Sequence, residues 1–473
     1  MTRGSAAALG AVGVVAIATA AFAWSVPARD ALPAWIGLVL PSAGALALGG
    51  WAWLRSGPTP RALLLGALAG AAALRLAALC APPSLSDDVH RYVWDGALGA
   101  QGLDPYAHRP RDLVGRAEGL DEAALSALNS PDYYSVYPPL AQLSFRAAWG
   151  VSALIGAPAE RVTRGGLALA DLLTVWALFA LLGQLGRPRG WALLYAWNPF
   201  VFWEVAAGGH SEALMLPLLL FAVRDALDER PARAGLWLGL AASAKLTALI
   251  VAPIFLVFLA RRLDARRAAP VALASFAVLA GSFAPFASDV LWPHLRESLA
   301  LYAERFSFNA PMYYAARDLL GYVEGVTPPV DGALMPWLTA ATLGWLMLVA
   351  LAQDGGRRRF VGALAAAFVG YLLLSRVIHP WYVLPPLALA VLVRSFSLPA
   401  LSLLLPLSYL PYAPGGRESA DVIAAQFVPF AALAIVDLTR GWLAETKRPP
   451  APARTEPAPR VTPAGRVGYD TDV

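Results

Sequence analysis

Charge is what this chain has least of. Only 15% of its 473 residues are Asp, Glu, Lys or Arg, and 58% are hydrophobic, against about 25% charged in an ordinary soluble domain. Length alone suggests roughly three soluble domains, but apolar runs of about 20 residues recur from end to end, each long enough to cross a hydrocarbon core of ~30 Å. A soluble enzyme, a disordered scaffold and a disulfide-stapled secreted domain are excluded together. Cysteine is nearly absent too. Cys80 stands alone, can form no intrachain disulfide and reads as a packing residue. Lysine is reduced to Lys245 and Lys447, so the net charge of +5 rests on Arg. Most Arg sits in short loops between apolar runs, where it orients the chain and gives no sign of a nucleic-acid partner.

What is present predicts an all-α, polytopic integral membrane protein of about 14 transmembrane helices with both termini inside. The expected spans are 5–24, 31–54, 62–81, 139–157, 166–184, 191–207, 212–227, 235–260, 268–287, 334–352, 360–378, 382–395, 397–410 and 422–440. The N-terminal run ends in a signal-like Ala21-Phe22-Ala23 but exceeds an ordinary h-region, so it reads as an uncleaved helix. Arg55 and Arg61, the run Arg261–Arg267, and Arg357–Arg359 mark cytoplasmic loops. Two long outer loops follow, about 82–138 and 288–333. Within the first, Asp112–Leu128 carries an apolar stripe and reads as a short helix on the membrane surface. The expected organisation is two N-terminal helices over 1–60, a membrane domain over 61–440, and a Pro/Ala/Arg-rich cytosolic tail over 441–473 that composition marks as disordered. Counting crossings places Gly186–Arg189 and Asp228–Arg233 outside, against the positive-inside tendency. A broken or re-entrant helix in this region would reconcile the count.

The remaining charges need another reason to exist. Ser86–Gly96 reads SDDVHRYVWDG. Two adjacent carboxylates beside a membrane are uncomfortable without a cation, an Arg or a reacting group nearby. Asp87 or Asp88 can serve as general base for an attacking hydroxyl while the other orients it or holds a metal. The plain alternative is a helix N-cap with a solvated acidic start. Asp95 lies two helical turns on, and Arg91, one turn from Asp87, can pair with it or hold a phosphate. Tyr137 closes the aromatic segment NSPDYYSVYPP over 129–139, which suits a sugar contact or an interfacial aromatic belt. Glu212, in the string Gly208-Gly209-His210-Ser211-Glu212 after Glu204, is an ionisable group at membrane depth. It either meets a ligand or bonds a neighbouring helix, and a lone His-x-Glu is too little for a metal site. Lys245 lies inside an apolar run and needs a counter-ion, an aqueous cavity or a long snorkel; a lipid phosphate fits. Arg305 in the second outer loop and Arg376 and His379 before Trp381 and Tyr382 add cations and aromatics at the outer face, suited to a phosphate or to interfacial anchoring.

Taken in order, SDDVHRYVWDG, GLDPY (102–106), NSPDYYSVYPPLAQ (129–142), YAWNPFVFWEVAAGGHSEA (195–213), SAKLTALIVAP (243–253), FNAPMYY (308–314) and HPWYVLPPLAL (379–389) resemble the bacterial polyprenol-phosphate-dependent glycosyltransferases of the GT-C superfamily. More narrowly, the chain is similar to their mannosyltransferase-like branch, family 87 and its relatives. The likeness runs over about residues 60–395. It implies a GT-C-like fold with an acidic motif in the first outer loop, matching Asp87 and Asp88, of which Asp87 is the first candidate for catalytic base. It places donor-phosphate contacts on Lys245 and His379, to which residue chemistry adds Arg91 and Arg305. Asp95, Tyr137, Glu212, Trp381 and Tyr382 are the expected substrate-pocket residues.

The expected activity is transfer of a hexose, mannose first, from a polyprenyl-phosphate donor to an extracytoplasmic glycan or lipid acceptor by inverting displacement. The site would face outward from the bacterial inner membrane. A divalent cation on Asp87 and Asp88 stays open, because the sequence supplies no full ligand set. The rivals are a polytopic transporter or lipid-linked glycan flippase, against which stands the lack of an internal repeat, and a ligase using pyrophosphate-linked glycans.

Overall fold

The computed structural model describes residues 31–41, 44, 61–81, 83, 85–116, 118–304, 306–321 and 331–446. The expected span 5–24, the tail beyond 446 and candidate Arg305 lie outside the described residues. The described residues are helical throughout apart from loops, with one isolated parallel bridge between Phe308 and Val377.

The principal helices are α1 (Arg61–Ala78), α2 (Asp88–Ala100), α3 (Pro139–Ile155), α4 (Ala159–Gln184), α5 (Glu212–Leu227), α6 (Pro231–Ala244), α7 (Ala252–Arg262), α8 (Pro270–Phe283), α9 (Asp331–Ala352), α10 (Arg357–Leu374), α11 (Leu384–Val393) and α12 (Ala420–Thr446). Among the described residues, four stretches are long and apolar enough to cross a membrane: Ala159–Gln184, Ala265–Phe286, Leu334–Ala352 and Ala420–Thr439. The first is 56% buried and central, while the other three are 17–22% buried and peripheral. Their exposed Leu273, Phe276, Trp337 and Leu438 form an apolar exterior suited to lipid. The other apolar runs that fall within the described residues make shorter helices or broken ones.

Small residues set the closest helix pair. A side chain at Gly235 would stand 2.4 Å from the Val271 carbonyl oxygen and one at Gly239 2.7 Å from that of Ser275, so α6 and α8 touch backbone to backbone, as membrane helices do where residues are small. The core of α4 also holds an ion pair. Arg75 Nε on α1 donates to Asp171 Oδ2 at 2.7 Å, and Tyr195 Oη donates to Asp171 Oδ1 at 2.7 Å. The two charged side chains are 1% and 0% exposed. Asp171→Ala should strand the guanidinium and cost about 3–5 kcal/mol, read as a lower thermal midpoint in detergent; an unchanged midpoint would contradict this.

The surface helix expected over Asp112–Leu128 does not form. A tight turn at Pro110–Leu113 and a single helical turn at Glu122–Ser126 replace it. Gly115 and Gly119 between them adopt φ of 70° and 75°, a left-handed backbone that ends a helix. The apolar stripe serves another purpose: Leu113, Leu120 and Leu128 make a separate small core with Trp94, Ala97 and Leu98 of α2.

Candidate active site

The polar stretch after α1 is folded tightly around α2. The Asp88 N–H donates to Ser86 Oγ at 3.2 Å, while Asp87 occupies the N-cap position without a side-chain cap hydrogen bond. Asn129 Nδ2 donates to Asp88 Oδ1 at 3.0 Å. Both carboxylates are half-buried. Arg91 and Asp95 have different work. Arg91, 3% exposed, donates from Nε to Asp95 Oδ1 at 2.9 Å and from Nη1 to the carbonyls of Ser130 and Tyr133 at 3.1 and 3.0 Å. Asp95 Oδ2 accepts from Ser135 Oγ at 2.6 Å and from Gln142 Nε2 at 2.9 Å. This network pins the aromatic segment 129–139 to α2 and uses both groups where a phosphate and a sugar contact were expected.

The same stretch also meets the helix over Leu291–Glu304. His294 Nδ1 lies 2.8 Å from the Tyr106 carbonyl, its ring stacks on Tyr134 at 3.6 Å, and Arg109 Nη2 pairs with Glu297 at 2.7 Å. Tyr106 Oη donates to the Tyr137 carbonyl at 2.6 Å. From the second outer loop, Phe308 pairs its backbone with Arg376 and Ile378, at 3.0 and 2.8 Å, and its ring lies 5.2 Å from His379. Arg376 lies over the Tyr313 ring at 5.1 Å.

Tyr92 links the loop to the membrane motifs. Its ring stacks on Phe145 at 4.4 Å and meets Tyr137 edge-on at 5.0 Å. Its hydroxyl bonds Tyr137, and both Asp88 and Glu212 act on it electrostatically. Burial, then these two carboxylates, hold its pKa well above the ordinary phenol value, so it stays a neutral hydroxyl. Asp88 and Glu212, 124 positions apart in the chain, thus lie within electrostatic reach of one side chain.

Lys245 falls at a break. The single span expected over 235–260 is two helices: α6 stops at Ala244, Lys245 is extended (φ −156°, ψ 123°), a tight turn covers Leu246–Val251 and α7 begins at Ala252. Pro253 has no N–H to offer the preceding turn, which favours a break there. The break lets the ammonium reach inward. It pairs with Glu212 Oε1 and lies 5.1 Å from the Tyr382 ring centroid, so Lys245 does not snorkel.

The span expected over 191–207 is likewise a series of short turns, Arg189–Ala192, Leu193–Ala196 and Pro199–Phe202, ending in a π-helical turn at Trp203–Ala207. Asn198 Oδ1 caps the third by accepting from Phe200 N–H at 3.0 Å. The π turn, a feature common at functional sites, carries buried Glu204. The Tyr409 hydroxyl donates to Glu204 at 2.9 and 3.0 Å, and His210 Nδ1 lies 3.1 Å from Glu204 Oε2. The His210 ring stacks on Trp381 at 3.7 Å, and Trp381 stacks on His379 at 4.4 Å. Arg164, 1% exposed, binds the carbonyls of Ala81 and Ala207 and so ties the end of α1 to this turn.

The structure therefore brings together Asp88, Tyr137, Glu212, Lys245, His379, Trp381 and Tyr382, with Asp87 adjoining. Sequence reasoning weighed Glu204 with Glu212 as a ligand contact or a bond between helices and found His210 too little for a metal site, and it did not single out Tyr409. Among the described residues no three His, Cys, Asp or Glu side chains are grouped so as to hold a metal.

With this geometry in hand, similarity to known proteins is specific. The sequence model of the family described as "Alpha-(1->6)-mannopyranosyltransferase, N-terminal domain" matches residues 3–261, more than half of the chain and including the first 60 residues, which the motif likeness did not reach. The chain is 36% identical over 154 residues to an alpha-(1->6)-mannopyranosyltransferase of Mycobacterium tuberculosis, covering 32% of this chain and 25% of that protein. It is 35% identical over 154 residues to a probable alpha-(1->6)-mannopyranosyltransferase of Mycolicibacterium smegmatis, covering 32% and 26%. A third relative, alpha-(1->6)-mannopyranosyltransferase A of M. tuberculosis, is 29% identical over 196 residues, covering 40% and 36%. The matched stretch spans about a quarter to a third of the length of these relatives.

Proposed function

The chain belongs to the family of alpha-(1->6)-mannopyranosyltransferases, and from that premise we propose that it transfers mannose from a polyprenyl-phosphate donor to an extracytoplasmic glycan or lipid acceptor. The observation that carries this reading is the meeting of an acidic loop with a half-buried cation: Asp88 and Glu212 both act on Tyr92, and Glu212 holds Lys245. An acceptor hydroxyl needs a base, and a departing lipid phosphate needs positive charge; these two needs are met by groups that Glu212 and Tyr92 connect.

In this reading Asp87 takes the proton of the acceptor hydroxyl, and Asp88, held by Asn129, orients that hydroxyl. The oxygen attacks the anomeric carbon opposite the phosphate, and the C–O bond to phosphate breaks with inversion. An α product then requires a β-linked donor. Lys245 stabilises the negative charge that grows on the lipid phosphate. A phosphate leaves without a general acid. Trp381, Tyr382 and Tyr137 shape the pocket. Arg91 and Asp95 act by fixing the loop. Each of these steps uses the chain's own side chains. The wider architecture we propose is GT-C-like, of about 14 spans, in the inner membrane with its site outward.

The test is mass spectrometry of products from the purified protein given a panel of polyprenyl-phosphate sugars and a mannan-type acceptor. Mannose addition from the lipid-linked donor is expected. Addition only from a nucleotide sugar would overturn the donor assignment.

A further inference from the structure

We propose that Arg187, Arg358 and Arg394 bind the phosphate of an anionic phospholipid at the end of the bundle opposite the acidic loop. The site is independent of the donor reading and uses no residue of the candidate active site.

The two ends of the bundle follow from contacts. Arg164, near the start of α4, bonds the Ala81 carbonyl between α1 and α2, and α4 then runs about 30 Å further to Gln184. Gln184 Nε2 donates to Asp228 Oδ1 at 2.6 Å. Glu229, before α6, pairs with Arg262 at the end of α7, so the chain that breaks at Lys245 returns to the face it left. Arg261 Nη2 donates to the Leu351 carbonyl at 2.8 Å. Gly186–Arg189 and Asp228–Arg233 thus share a face with Arg261–Arg267 and Arg357–Arg359. The positive-inside tendency assigns that face to the cytoplasm, and the return at Lys245 reconciles the crossing count.

Arg187 is placed by the way α4 ends. Gly186 takes a φ of 64°, and the Arg187 N–H closes back on the Leu182 carbonyl at 2.8 Å, a Schellman pattern. Its guanidinium lies 5.5 Å from the Trp191 ring centroid, and that of Arg394 lies 4.6 Å from it. Arg394 ends α11 with a φ of 65°, an uncommon backbone for a residue other than glycine. Arg358, at the start of α10, and Arg394 are both within electrostatic reach of Arg187.

No acid answers these charges. Arg187 Nε is buried without a hydrogen-bond partner, and none of the three forms an ion pair among the described residues. The acids of this face are engaged elsewhere. Asp354 pairs with Arg359 at 3.1 Å, Asp437 accepts from the Phe396 and Ser397 N–H groups at 2.9 Å, and Glu229 holds Arg262. Burial, then Arg358 and Arg394, lower the Arg187 pKa to about 10, so it stays charged at neutral pH against its neighbours. An oxyanion turns that repulsion into attraction and offers guanidinium groups a bidentate acceptor. Phe396, two residues past Arg394, and Leu438, next to Asp437, are exposed and give acyl chains an apolar wall. Basic pockets between membrane helices on the cytoplasmic side suit such headgroups.

The experiment is native mass spectrometry with a thermal scan on the full chain in detergent, titrated with phosphatidylglycerol, phosphatidylcholine or inorganic phosphate. Phosphatidylglycerol should be retained and should raise the thermal midpoint. Phosphatidylcholine should be held more weakly, and inorganic phosphate at the same concentration should do neither. Arg187→Gln, Arg358→Gln and Arg394→Gly should each weaken phosphatidylglycerol binding about fivefold. Arg266→Gln, at an exposed arginine of the same face, should not. Arg394→Gly also relieves the left-handed backbone, so its midpoint without lipid should not fall, which separates lost binding from lost folding. Equal losses at Arg266 and at the cluster would reduce the effect to diffuse surface charge and overturn the site. Inorganic phosphate that stabilises the protein and displaces the lipid would overturn the lipid assignment. Mannose transfer is not the readout, so either failure leaves the proposed function standing.

Discussion

Asn at position 87 should leave a folded protein that transfers almost no mannose, with kcat down by about 10²–10⁴-fold, the range a general base supplies. Asp87 sits at the start of α2, and Asn keeps its size and one accepting oxygen, so the change removes charge with little change of shape. Asp88→Asn should fall by a similar factor for a related reason. Its Oδ1 can still accept from Asn129 Nδ2, a bond of 3.0 Å, so the geometry survives while the charge that orients the hydroxyl is lost. The measurement is kcat at saturating donor and acceptor, with a thermal scan on each variant. Full activity in both variants would remove the acidic loop from the chemistry.

The second large effect is at Lys245. Replacing it with Met should raise the donor KM by roughly 10–150-fold, the equivalent of a charged hydrogen bond of about 1.5–3 kcal/mol. The single substitution also strands Glu212, whose side chain is 3% exposed, and an uncompensated buried charge destabilises. The double variant Lys245→Met/Glu212→Gln removes both charges. It should regain the thermal stability lost in the single variant but keep the high donor KM. Recovery of KM together with stability would mean that Lys245 only balances Glu212.

Helix placement was legible where an apolar run is uninterrupted. The run at 212–227 is α5 residue for residue, because a stretch that must hide its own backbone in lipid has only the helix available. Breaks were not legible. Hydropathy over 235–260 counts Lys245 as one polar residue among many apolar ones, and cannot show that the backbone turns extended there to reach Glu212. The same holds at 191–207, where Asn198-Pro199 signals an interruption but not a π turn with a buried Glu204 behind it. Residue type also left local partners unseen: Arg91 and Asp95 have the chemistry of a site, and the structure pairs them with each other and with the segment 129–142. Where the partner is remote the sequence is silent. Arg75 and Asp171 are 96 residues apart and Tyr409 and Glu204 205 apart, and only the folded packing brings each pair together. Asp87, Asp88, Glu212 and Lys245 stood out because so little charge surrounds them.

The central claim is that an outer acidic pair and the Lys245–Glu212 pair serve one displacement at a lipid phosphate. The most direct measurement is in proteoliposomes loaded with polyprenyl-phosphate mannose and given acceptor outside, following released polyprenyl phosphate and mannosylated acceptor together. The account predicts that the two products appear one for one with the wild-type protein and that neither appears with Asp87→Asn. Movement of lipid-linked mannose across the bilayer with no polyprenyl phosphate released, unaffected by Asp87→Asn, would contradict it.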